Sequence, residues 1–144
     1  NPGLHNFNKI SRDRIDKNII PSVRFDTLVG KNDIQFCKVV KIDTEGAEYT
    51  ILKSGESFFN PDKVSFIVCE LNEFGLGQLG VTQHELRALM REKGYETFIF
   101  PKDDHIPILV PERTLLSSPY VYNVLFTTQE KISQNWPSLL PYQD

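Results

Sequence analysis

Apolar positions along this chain follow two rhythms. KVVKID, residues 38–43, and VSFIVCEL, residues 64–71, are nearly continuous apolar runs with polar flanks, the pattern of strands buried on both faces. Between them, TEGAEYTILKSG sets Ala47, Ile51 and Leu52 at helical spacing and offers Gly55 as a stop. TQHELRALMREKG, residues 82–94, predicts a longer helix. Thr82 and Glu85 form a capping-box pattern, Leu86, Leu89 and Met90 share one face, and Gly94 closes it. YETFIF at 95–100 and VYNVLFTT at 121–128 read as strands on either side of a long loop, 101–119. SVRFDTLV, residues 22–29, predicts a short strand running into a turn or one helical turn near Asp26.

Strands alternating with helices at these spacings predict one α/β domain with a mostly parallel sheet that finishes in an antiparallel strand pair. Residues 1–21 form an irregular arm, 22–128 the α/β core and 129–144 a polar tail. No internal repeat divides the chain.

Composition narrows the function without naming it. The chain has 144 residues, 40% apolar and 24% charged, enough for one ordinary globular core. Its 16 basic and 19 acidic residues give a net charge of −3 without a basic cluster, which argues against nucleic acid as a partner. No run approaches the roughly 18 apolar residues that span a bilayer, so the reading is a soluble, cytoplasmic protein with no membrane partner. Cys37 and Cys69 sit in or beside apolar runs and read as small buried hydrophobes. His5, His84 and His105 lack metal-ligand spacing and read as surface or loop residues.

Ligands of an open α/β sheet bind beyond the carboxyl ends of parallel strands. The first such end supplies Asp43, Thr44, Glu45 and Glu48; the second supplies Glu70, Asn72 and Glu73. Adjacent strands would bring Asp43 and Glu70 within roughly 5 to 10 Å. Asp43 and Glu45 have a bland reading as caps of the following helix. Glu70 resists one, since it ends an apolar strand. Oxygen ligands at Asp43, Glu45 and Glu70 would also suit Mg²⁺ or Ca²⁺, but no spacing fixes a metal there. Residues 75–80, GLGQLG, match G-x-G-x-x-G. Residues 71–74 intervene after the strand, however, and Thr82 caps the helix only after Gly80, so the segment reads as a flexible loop over the site mouth.

KIDTEGAEYTILKSG, then VSFIVCELN, then TQHELRALMREKGYETFIF, then YNVLFT resembles the second half of FkbM-type methyltransferases. VRFDTLV resembles that family's short Leu-Asp segment, with Phe25 in the leucine place and Asp26 matching. The resemblance covers residues 22–128 and implies a class I, Rossmann-like methyltransferase sheet using S-adenosylmethionine. It implies O-methyl transfer to a hydroxyl of a small molecule, sugar or glycan. Asp43, Thr44 and Glu45 would face the cofactor, with Asp43 at its methionine end or at the acceptor hydroxyl. Glu48 and Asn72 would meet the substrate, and Glu70 or Asp43 would take the hydroxyl proton.

The family's glycine-rich cofactor loop and first strands are not found before residue 38, and the chain opens on Asn1. The expectation is therefore a C-terminal part of the domain, truncated at its N-terminal half. Its uncovered strand edge would invite a homodimer. The rival is a methyltransferase-like binding or structural module without activity.

Overall fold

The computed structural model describes residues 21–101, 106–117 and 122–136. Helix α1 spans Phe25–Lys31, strand β1 Cys37–Ile42, helix α2 Glu48–Ser54 and strand β2 Val64–Leu71. Helices α3, Glu73–Gln78, and α4, Gln83–Glu92, follow in sequence. Strands β3, Glu96–Ile99, β4, Ile108–Leu109, and β5, Tyr122–Thr127, complete the sheet before helix α5, Gln129–Asn135.

Among the described residues, five strands lie in the order β1-β2-β5-β3-β4. β1 and β2 pair in parallel, with Cys37 opposite Val64 and Ile42 opposite Cys69. The β2–β5, β5–β3 and β3–β4 contacts are all antiparallel. The expected mostly parallel sheet is thus corrected. β1, β2 and β3 do run in one direction, as helical crossovers require. β5 enters between β2 and β3 the other way, so each of its two contacts is antiparallel.

Apolar side chains build a core on each face of the sheet. On one face, Ile67 and Cys69 of β2 and Val124 and Phe126 of β5 pack with Val29, Leu52, Leu76, Leu86 and Met90 from α1 to α4. On the other, Phe66, Phe98 and Leu125 pack with Ile132 of α5, and Trp136 lies against them. β2 contributes to both cores: six of its eight residues are buried, all but Val68 and Glu70. α4 forms as its sequence dictates. Its capping box is complete, with Glu85 N donating to Thr82 Oγ1 at 3.2 Å and Thr82 N to Glu85 Oε2 at 2.8 Å.

Three segments depart from the sequence reading. The expected strand at 22–29 does not form, and the helical turn expected near Asp26 extends to a helix over 25–31, because the Phe25 ring stacks on Phe59 at 4.5 Å and Ser57 Oγ donates to Asp26 Oδ1 at 2.9 Å. The GLGQLG segment, read as a loop, begins inside α3. The start of the polar tail is α5, whose N-cap Thr128 accepts from Lys131 N and whose Ile132 is buried. Residues 1–20, 102–105, 118–121 and 137–144, with His5 and His105, lie outside the described residues.

Candidate functional site

The parallel register puts Lys41 opposite Val68 and Ile42 opposite Cys69. The next residues, Asp43 just past β1 and Glu70 near the end of β2, therefore stand side by side on one rim. Carboxylate oxygens of Asp43, Glu45 and Glu70 all lie within 4.8 Å of one another. Asp43 also carries an ion pair from Lys41 on the same strand. Across β2, Asn123 stands directly opposite Glu70 in the antiparallel register, which puts both side chains on one face. Sequence reasoning missed Asn123, since nothing in the chain before folding couples β5 to β2.

The turn after β1 is held by Glu48. This side chain is fully buried, and its Oε1 accepts from Thr44 N at 2.9 Å, Thr44 Oγ1 at 3.0 Å and Gly46 N at 3.1 Å. Its other oxygen is buried without a partner among the described residues. With no exposed surface, Glu48 organises the turn and does not itself present to a ligand. The capping reading of Asp43 and Glu45 fails as well, because the N-cap of α2 is Ala47 and carries no side-chain cap bond. Glu45 takes φ 57° and Gly46 φ 119°, a left-handed turn in which a non-glycine residue costs of order 1–3 kcal/mol.

α3 seats on that turn. Asn72 caps the helix by accepting from Gly75 N at 2.9 Å, and its Nδ2 donates to Glu45 Oε2 at 3.0 Å. Gly46 and Gly75 meet backbone to backbone: a Cβ on Gly46 would lie 2.7 Å from Gly75 Cα, and one on Gly75 2.6 Å from Glu45 O. That contact explains the first glycine of the GLGQLG segment as a packing requirement, not a phosphate cradle. Asp43, Thr44, Glu45, Gly46, Ala47, Gly75, Gln78 and Leu79 line a cavity of about 520 Å³. A second cavity, about 390 Å³, opens on the α1 and α2 side and shares Asp43 and Thr44.

The rim is electrostatically loaded. Burial, then the negative charges of Asp43, Glu45 and Glu48, push the Glu70 carboxyl up from 4.5 to about 7. Its Oε2 is buried and unpartnered among the described residues. A carboxyl poised near neutrality with a free oxygen can exchange a proton with a bound group. Cys69 beside it is buried, and its thiol is pushed up by desolvation and by the same carboxylates, which leaves it inert as a nucleophile.

A family profile described as the methyltransferase FkbM domain matches residues 2–97. The chain belongs to the FkbM methyltransferase family. No curated protein and no solved structure matches it. The matched span of this FkbM domain includes the acidic turn, β2, α3 and α4, while β5 and α5 lie beyond it. Membership makes the domain a methyltransferase and points to S-adenosylmethionine as cofactor. The rim suits that group chemically: a sulfonium and an α-ammonium are both positive, and the cavity wall presents Asp43 and Glu45. Its volume is within the range of small-ligand sites, roughly 300–1,000 Å³. No helix among the described residues is long and apolar enough to cross a membrane.

Proposed function

We propose that this domain methylates a hydroxyl oxygen of a small molecule, sugar or glycan, using S-adenosylmethionine, with Glu70 as the base. The observation that carries the reading is the side-by-side exit of Asp43 and Glu70 at the ends of two parallel strands. When bound, the cofactor supplies a methyl group on a positively charged sulfur. Asp43, Thr44 and Glu45 hold its positive end through charge and hydrogen bonding. Glu70 accepts the acceptor hydroxyl proton at Oε2, and burial, with Asp43 beside it, keeps that carboxyl basic enough near neutral pH. Alignment of acceptor oxygen and methyl carbon, rather than basicity alone, supplies most of the acceleration in such transfers. The two free cysteines support a cytoplasmic setting.

Calorimetry with S-adenosylhomocysteine, coupled to label transfer from S-adenosylmethionine onto a panel of hydroxyl compounds, tests the reading. Binding that weakens in Asp43→Asn and transfer that collapses in Glu70→Gln are expected. Transfer surviving intact in Glu70→Gln removes Glu70 as the base.

One observation favours a second reading, a methyltransferase-like module that dimerises through β1. That strand has β2 on one side and no pairing on its other edge among the described residues, and Val39 is 55% exposed. Sedimentation velocity that returns only monomer across a wide concentration range rejects edge pairing.

A further inference from the structure

We infer that Asn72 is a positioning residue that holds Glu45 on the acidic rim and joins α3 to the turn after β1 as one rigid unit. The inference deepens the proposed methyl-transfer reading and rests on it for its functional meaning. Its geometry stands independently. Both ends of the Asn72 amide are committed, the oxygen to Gly75 N at 2.9 Å and the nitrogen to Glu45 Oε2 at 3.0 Å. Glu45 is a residue in need of holding, because its backbone is in the left-handed region at φ 57°. The half-buried carboxylate is drawn to within 4.8 Å of those of Asp43 and Glu70, where mutual repulsion would otherwise drive it out toward water.

The same amide explains how the cavity keeps its shape. Gly46 and Gly75 touch through their backbones, and Leu79 and Gln78 at the far end of α3 form part of the cavity wall. The Asn72 amide and the Gly46–Gly75 contact therefore together set the distance between the wall that bears Leu79 and the wall that bears Asp43 and Glu45. Asn72 reaches no reacting atom in this arrangement and acts through Glu45. An aspartate here would keep the cap and repel Glu45, and a serine would keep the cap without reaching it. The pairing thus asks for an amide, whose acceptor and donor sit on separate atoms that reach Gly75 N and Glu45 Oε2 at once.

Carbon-13 carboxyl titration of the whole chain, in wild type, Asn72→Ser, Glu45→Gln and the double variant, tests this without any substrate. Releasing Glu45 takes a negative charge away from Glu70, so its midpoint falls in Asn72→Ser by about half a pH unit or more. It falls similarly in Glu45→Gln, and the double variant shows no further fall. Asn72→Ser should melt near wild type because the cap survives, whereas Asn72→Ala, which loses the cap, melts lower and serves as the structural control. An unchanged Glu70 midpoint in folded Asn72→Ser overturns the inference. A second arm reads affinity for S-adenosylhomocysteine, which should drop several-fold in Asn72→Ser. Wild-type protein that fails to bind it speaks against the methyl-transfer reading, while the titration still decides the role of Asn72.

Discussion

At the scale of single residues, Glu70 makes the firmest predictions. Its carboxyl sits near 7 when folded and at 4.5 ordinarily, so the folded state favours the protonated form. The stability it contributes is complete below the ordinary value and is lost as pH rises through about 7. Thermal melts of the wild-type domain should therefore weaken between about pH 5 and about pH 8, and Glu70→Gln should flatten that dependence. Methyl transfer runs the other way: it needs the ionised form, so kcat should climb through the same interval. In Glu70→Gln, kcat should drop roughly 10²- to 10⁴-fold. Glu70 was legible in the sequence because a charge ending an apolar strand is conspicuous. Glu48 was misread, since no pattern announces that a helix residue will turn back to bind Thr44 and Gly46.

At the scale of elements, the close seat of α3 predicts that Gly75→Ala destabilises by roughly 1–3 kcal/mol. The new methyl would meet Glu45 O and Gly46 Cα at 2.6 Å, both backbone atoms that cannot swing aside. Urea unfolding measures the loss, and an unchanged midpoint would mean that the helix can lift. Thr82→Ala breaks the capping box of α4 and should cost about 1 kcal/mol in the same assay. β1, β2 and α4 were readable because each carries a full apolar period with its own punctuation. α3 was not: two glycines in six residues weigh against a helix, and the Asn72 cap, the burial of Leu76 and the contact with Gly46 reverse that weight. α1 likewise depends on partners far along the chain, Phe59 and Ser57, that no local window includes. β4, two residues within a long loop, has no signal of its own and exists by pairing with Phe98 and Ile99.

For the whole molecule, the directions of β1, β2 and β3 follow from the helices between them, and these were legible. The position of β5 was not, because a strand after a long loop can join either edge or the middle. Its insertion between β2 and β3 separates the boundary of the family match from the boundary of the folding unit. The match ends at residue 97, yet the strand that bridges β2 to β3 begins at Tyr122. A chain stopped at the edge of the match would keep β1 and β2 but lose β4, half of β3 and the middle strand β5, so nothing would join what remains of β3 to β2. During synthesis, therefore, the sheet cannot close strand by strand behind the ribosome. Its two halves must wait for β5 to emerge and zip them together, and until then the flanks of β2 and β3 stand open to wrong partners.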